Sequence, residues 1–106
     1  MKKNIGAKLA LYPTPLVVVG IMVNGKPNWT LVGHLGIIGH DRVMVSMSDS
    51  HYSNQGIRAM KTLSINIVDE AMLKDADYAG CVSGANEDNS KLFAHHLQDG
   101  GVPILH

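Results

Sequence analysis

The chain has 106 residues, of which nine are basic and nine acidic, so its formal net charge is zero. This length predicts one domain, residues 1–106, that buries somewhat over ~60% of its unfolded surface, and the balanced charge excludes a basic stripe for nucleic acid. A single cysteine, no charged-then-apolar leader and no apolar run near the ~20 residues of a membrane helix indicate a cytoplasmic protein without a membrane partner.

The first predicted elements are a short helical turn over residues 5–12 and a strand over residues 16–23. Asn24 and Gly25 follow this strand and precede a second apolar stretch. An Asn-Gly pair in this position predicts a tight β-hairpin, because both central residues of the turn need positive φ. We therefore expect residues 28–34 to pair with the first strand.

The middle of the chain alternates between connections and short elements. Residues 36–41 are rich in glycine and predict a turn, whereas residues 42–47 are typical of a strand. Residues 48–53 form a polar loop. A short helix over residues 55–61 follows, capped by Ser53 or Asn54 and burying Ile57 and Met60 on one face.

The second half of the chain predicts one more clear strand. Residues 63–68 alternate apolar and polar side chains, which indicates a strand with one buried face. Residues 70–82 favour a short helix starting near Asp75 or Asp77, with core contacts from Tyr78, Cys81 and Val82. Residues 86–91 predict a polar turn, and residues 100–105 begin another extended segment.

These elements together predict a mainly antiparallel β-barrel or sandwich with short helical insertions, because strands do not alternate regularly with helices. Three polar clusters lie at strand ends or before a helix: residues 28–30, residues 46–48 with Ser50, and residues 51–54. Hydroxyl and backbone N–H groups beside a helix start suit a phosphate, although serines there also act as simple caps. Trp29 suits either a planar ligand or the core.

Histidine and cysteine give no metal or nucleophile pattern. The six histidines lack the paired spacing of metal ligands, and Cys81 is most simply a small core residue. His34 and His51 lie beside the polar clusters, where they could contact a ligand. No acid–base pair or nucleophile stands out, so we assign no catalytic residue and no metal ligand.

The order of the motifs resembles that of the flavin reductase-like, flavoredoxin-like proteins from about Met1 to Leu105. The segments that carry the resemblance are Tyr12-Pro13-Thr14-Pro15-Leu16-Val17, Asn28-Trp29-Thr30, Arg42-Val43-Met44-Val45-Ser46-Met47-Ser48, Tyr52-Ser53, Leu63-Ser64-Ile65-Asn66-Ile67 and Asp77-Tyr78-Ala79-Gly80-Cys81-Val82-Ser83-Gly84. The resemblance implies an antiparallel split β-barrel with short helical insertions. It also implies a homodimer that binds FMN near the subunit interface.

The resemblance also implies a role for each polar segment. The flavin ring would lie along Asn28, Trp29, Thr30 and Leu31. The ribityl chain would follow Ser46, Met47 and Ser48. The phosphate would lie near Tyr52, Ser53 and Asn54.

The sequence departs from the family pattern at two places. Asn89 stands where the family usually has a lysine that neutralises the phosphate. Either Lys91, the nearest cation in the sequence, substitutes for that lysine as a phosphate ligand, or the phosphate loses a positive partner. Relatives usually continue past the segment that resembles residues 101–105, so we expect the C-terminal strands of the family to be absent. A partner subunit that supplies them, a truncated product and a minimal barrel are all compatible with this sequence.

The function that the resemblance implies is transfer of hydride from NAD(P)H to the flavin, with electrons passed on to a small-molecule or protein acceptor. The cofactor carries this chemistry, so no acid–base pair is needed. The alternatives are a non-catalytic FMN-binding electron-transfer module and a relict dimer without flavin.

Overall fold

A computed structural model describes residues 1–8, 10, 13–84, 86–98 and 101–105. The helical turn predicted at residues 5–12 lies partly outside these residues, and its described part, residues 5–8 and 10, is not helical. Tyr12 of the first motif and His106 also lie outside the described residues. The elements in chain order are β1 Val17–Val23, β2 Lys26–Val32, β3 Leu35–Gly39, β4 Arg42–Val45, α1 Ser53–Met60, β5 Ser64–Ile67, a 3₁₀ turn Glu70–Met72, α2 Leu73–Cys81, β6 His95–Gln98 and β7 Val102–Leu105.

The strands form three antiparallel units: a sheet in the order β2-β1-β5, and the hairpins β3–β4 and β6–β7. The predicted turn between β1 and β2 is confirmed, since Asn24 has φ 52° and Gly25 has φ 80°. The predicted fold class, mainly antiparallel β with short helices, is also confirmed. No helix among the described residues is long and apolar enough to span a membrane.

The turn predicted at residues 36–41 is present only at residues 40 and 41, because residues 36–39 belong to β3. Leu35 and Ile37 pair with Val45 and Val43 of β4, and an irregularity in register follows Ile37. The glycines of this segment indicated a turn, but pairing with β4 outweighs their low strand propensity.

The strand predicted at residues 63–68 is present as β5, but its faces are exchanged. Ser64 and Asn66 are buried, whereas Ile67 is 84% exposed. The Asn66 amide donates to the Val18 carbonyl at 2.9 Å and accepts the Leu105 N–H at 3.1 Å. The polar face is therefore buried because it binds the backbone of neighbouring strands.

The helix α1 rests on β1 through small residues, and the predicted apolar face is wrong. Ser53 and Gly56 are buried, Ile57 is half-buried and Met60 is exposed. A Cβ atom on Gly56 would lie 2.8 Å from Val23 Cγ2. Neither Ser53 nor Asn54 caps the helix; Tyr52 occupies that position without a side-chain cap bond.

The helix α2 also packs through small residues. Ala76 and Ala79 are buried, while the predicted core contacts Tyr78 and Cys81 are exposed and Val82 is half-buried. The preceding 3₁₀ turn is capped by Asp69, which accepts the Met72 N–H at 3.0 Å, in place of the predicted Asp75 or Asp77.

The core has two clusters: Val18, Trp29, Ala76, Ala79 and Phe93 form the first, and Val17, Val19 and Val32 the second. Alternation along β1 places the two clusters on opposite faces of the sheet. Strand β2 contacts both α1 and α2, and its polar residues are therefore held where these three elements meet.

Candidate functional site

A polar cavity of about 300 Å³ lies where β2, the loop before α1 and the end of α2 meet. It is lined by Asn28, Trp29, Thr30, Leu31, Ser50, His51, Tyr52, Ala79, Gly80, Cys81, Val82, Ser83 and Gly84. We call it the larger cavity, in comparison with a smaller cavity that adjoins it. It brings together residues 28–31, which were predicted to bind the flavin ring, and Tyr52, which was predicted to lie near the phosphate. These two segments are at least 21 positions apart in the chain. Its size is at the lower end of the range for ligand pockets.

A smaller cavity of about 210 Å³ adjoins the larger one. The two share Asn28, Tyr52 and Gly84 as lining residues. The remaining lining residues of the smaller cavity are Val23, Asn24, Lys26, Pro27, Asp88 and Asn89. The shared residues make the two cavities neighbouring parts of one polar depression.

Ser53 lies beneath the cavities and holds two side chains of β2 in place. It is fully buried, and its Oγ lies 2.6 Å from Asn28 Nδ2 and 2.6 Å from Thr30 Oγ1. These bonds fix the rotamers of Asn28 and Thr30, which keeps the polar floor preorganised. Ser53 thus supports the floor of the cavities, and its place near a phosphate stays a prediction.

The outer edge of β2 carries backbone groups that β1 does not use. The Asn89 side chain accepts the Trp29 N–H at 3.2 Å and donates to the Trp29 carbonyl at 2.9 Å. Because hydrogen bonds in an antiparallel pair alternate, the Leu31 N–H and carbonyl also point away from β1. Leu31 therefore presents its peptide groups at the side of the larger cavity.

Trp29 packs its ring in the core. The side chain is 1% exposed and lies edge-on to Phe93 and His95, with ring centroids 5.6 and 5.4 Å away. Its Nε1–H donates to the Ser90 carbonyl at 3.4 Å. Of the two roles left open by the sequence, the structure shows core packing, while contact with a flavin stays a prediction.

The other predicted residues line neither cavity. Ser46, Met47 and Ser48 precede the loop, and the Ser48 carbonyl accepts the Asn54 amide at 2.6 Å. Lys91 is exposed and lines neither cavity. Asn54 and Ser48 therefore shape the loop that carries Ser50, His51 and Tyr52 to the larger cavity.

Several lining residues were not predicted as site residues from the sequence. They include Lys26 and the stretch at residues 79–84, whereas Ser50 and His51 belong to polar clusters already noted in the sequence. The small residues Gly80 and Gly84 were a signal that could have found them. A Cβ on Gly80 would lie 2.9 Å from Leu31 Cδ2, so glycine is what allows α2 to approach β2.

One ion pair borders the smaller cavity. Lys26 Nζ lies 3.3 Å from Asp88 Oδ2, and both side chains are more than half exposed. Hydrogen bonds from Ser90, with a smaller contribution from Lys26, lower the pKa of Asp88 to about 2. Asp88 is therefore a carboxylate at any working pH. Nearby, the Tyr78 hydroxyl donates to Glu87, and this bond raises the pKa of Tyr78.

Solved structures similar to this chain include two flavoredoxins and an FMN-binding protein. Flavoredoxin from Methanosarcina acetivorans matches 99% of this chain with a TM-score of 0.90 and 30% identity. Flavoredoxin of Desulfovibrio vulgaris (Miyazaki F) matches 99% with a TM-score of 0.87 and 32% identity. An FMN-binding protein from Thermus thermophilus, solved with p-hydroxybenzaldehyde, matches 100% with a TM-score of 0.85 and 21% identity.

These matches extend over nearly all of this chain but only part of the other proteins. The chain spans 58%, 61% and 64% of their respective lengths. No protein-family model matches the sequence, and no curated protein matches it either. The likeness is therefore one of fold across the whole chain, with sequence identity near 30% to two of the structures.

Proposed function

The chain has the flavin reductase-like split-barrel fold of the flavoredoxins, and from this premise we propose that it binds FMN in the larger cavity. The observation that carries the proposal is the convergence of Asn28, Thr30, Leu31 and Tyr52 on one polar cavity. Amide, hydroxyl and peptide groups on a rigid strand suit the polar edge of a flavin ring. When bound, FMN would supply hydride and single-electron chemistry.

The chain's own residues would bind and orient the flavin. Asn28 and Thr30 are fixed from below by Ser53, and the Leu31 peptide is directed outward from β2. Tyr52 stands between the two cavities and accepts a hydrogen bond from Asn24 at 3.4 Å. The ribityl contacts of Ser46, Met47 and Ser48 stay a prediction.

We further propose that NAD(P)H reduces the bound flavin and that the electrons pass to a small-molecule or protein acceptor. A non-catalytic electron-transfer module is the second candidate, and one observation favours it. None of the residues that line the larger cavity is lysine or arginine. A dinucleotide would find no cation there for its pyrophosphate, whereas a protein donor would need none.

Titration of the purified protein with FMN tests the proposal. We expect saturable binding of one FMN per chain, seen as a change in flavin fluorescence. Anaerobic NADH or NADPH would then bleach the oxidised-flavin absorption if the protein is a reductase. Bound flavin that neither reductant bleaches would support the electron-transfer module, and failure to bind FMN would contradict both functions.

We also propose a homodimer, because apolar side chains of β3, β4 and β5 are exposed. Ile37 is 84% exposed, and Ile67 is exposed to the same degree. Ile67 pairs with Val17, so both side chains lie on one face of the sheet. The core cluster that contains Val17 contacts Leu35 and Val45, which lie at the base of the β3–β4 hairpin. Exposed apolar surface of this kind is typical of interfaces between proteins.

Sedimentation equilibrium tests the homodimer. We expect the wild-type chain to sediment as a dimer, and Ile67→Lys to weaken the dimer at least about ten-fold, since it buries an unpaired charge. Leu73→Lys on α2, another exposed apolar position, is the matched control and leaves the dimer intact. A wild-type monomer at all concentrations would contradict the proposal.

A further inference from the structure

Lys26 supplies a positive charge at the candidate site. Among the residues that line the two cavities, it is the one lysine or arginine. It is the first residue of β2, and only one residue separates it from Asn28. Lys26 is therefore the lining cation that a negatively charged ligand in these cavities could contact.

The smaller cavity, where Lys26 lies, continues from the larger one past Asn28 and Tyr52. Its polar groups include the side chains of Asn24 and Asn28 and the Tyr52 hydroxyl. A ligand whose ring fills the larger cavity therefore has a polar path for its tail toward Lys26. This path borders Tyr52, immediately before the first residue of α1.

The Lys26 ammonium can bind a second anion in addition to the Asp88 carboxylate. An ammonium has three N–H donors, and Asp88 accepts one of them at 3.3 Å. The other carboxylate oxygen of Asp88 already accepts the Ser90 N–H at 2.9 Å. Lys26 is also more than half exposed, so it can reach a ligand without leaving a buried position.

The other residues considered for this role are placed less well. Both polar groups of the Asn89 side chain bind the Trp29 backbone, so Asn89 stabilises the edge of β2. Lys91 lines neither cavity. Of Lys26, Asn89 and Lys91, Lys26 is therefore the one that both carries a positive charge and lines a cavity.

We propose that Lys26 binds the phosphate monoester of the flavin nucleotide in the smaller cavity. The inference rests on the proposed FMN binding and adds a residue that selects FMN over riboflavin, which lacks the phosphate. Asp88 remains the second partner of the ammonium. The expected preference is moderate, because Lys26 is exposed and exposed ion pairs contribute up to ~1 kcal/mol, or about five-fold in affinity.

The test compares FMN and riboflavin binding to Lys26→Met, which keeps the length of the stem and removes the charge. We expect about a five-fold loss of FMN affinity and unchanged riboflavin affinity. The wild-type preference for FMN should also shrink as salt is raised, whereas that of Lys26→Met should not. Lys61→Met is the matched control and should keep wild-type affinities, and Lys91→Met tests the lysine that the sequence had suggested.

The outcomes separate this inference from the proposed function. If the wild-type chain binds neither flavin, the proposed function is wrong and the inference falls with it. If it binds FMN and Lys26→Met behaves like Lys61→Met, FMN binding stands and Lys26 is not the phosphate ligand. Selective loss of FMN affinity in Lys91→Met would also overturn the inference.

Discussion

Replacing Gly84 by alanine is expected to weaken FMN binding by about a hundred-fold. The new Cβ would lie 2.6 Å from Tyr52 Cδ2 and closer still to Asn28 Oδ1. Asn28 cannot retreat freely, because its amide is bound to the buried Ser53. Overpacking of this kind costs about 1–3 kcal/mol, and here the cost falls on the wall that the two cavities share.

Flavin titration and thermal unfolding of the same variant measure this effect. Gly36→Ala in β3 is the matched control, since its Cβ would meet nothing within 4 Å. We expect the control to bind FMN like the wild type. Equal binding by Gly84→Ala and Gly36→Ala would show that FMN does not use these cavities. Thermal unfolding separates a local change at the cavities from loss of the fold.

Replacing Asn66 by alanine is expected to lower the free energy of unfolding by about 3 kcal/mol. The amide of Asn66 donates to the Val18 carbonyl and to Ser64 Oγ, both at 2.9 Å, and accepts the Leu105 N–H. Alanine leaves these groups without that partner in a buried position. The loss corresponds to a fall in melting temperature of about 15 °C for a domain of this size.

Denaturant unfolding of Asn66→Ala gives the free energy directly. Asn86→Ala is the matched control, because Asn86 is exposed in a turn and uses its backbone N–H, not its side chain, to bind the Ser83 carbonyl. The control should change the free energy of unfolding by less than about 0.5 kcal/mol. A similarly small effect in Asn66→Ala would show that the buried polar face of β5 does not hold the sheet to β7.

The elements whose conformation depends on neighbouring residues in the chain could be predicted from the sequence. The Asn24–Gly25 turn requires positive φ at both residues, and only a few residue types supply it, so the hairpin could be located from the sequence. The strand β4 was also recognisable from its β-branched residues. These features depend on neighbours in the chain and need no knowledge of the tertiary structure.

Which face of an element is buried could not be predicted in the same way. Alternation along β5 indicated a strand, but apolar side chains normally mark the buried face, and here Asn66 and Ser64 are buried. Their partners Val18, Pro103 and Leu105 are about 40 positions or more away in the chain. On α1, Gly56 is buried because close approach to β1 leaves no room for a side chain, whereas Ile57 is only half-buried.

The candidate site was predicted in part. Asn28, Thr30, Leu31 and Tyr52 line the larger cavity, because strand β2 and the loop before α1 meet as the polar clusters suggested. Lys26 was missed because its partner Asp88 is 62 positions away, whereas Lys91 was chosen for its closeness in sequence to Asn89. Spacing along the chain carries no information about such pairs.

The most direct test of FMN binding at this site is a titration of the ¹⁵N-labelled chain with FMN, followed by amide chemical shifts. We predict the largest changes at Leu31, Tyr52 and Gly84, which lie around the larger cavity, and small changes in the β3–β4 hairpin beyond Ile37. Changes confined to that hairpin, or no changes at a large molar excess of FMN, would contradict FMN binding between β2, α1 and α2.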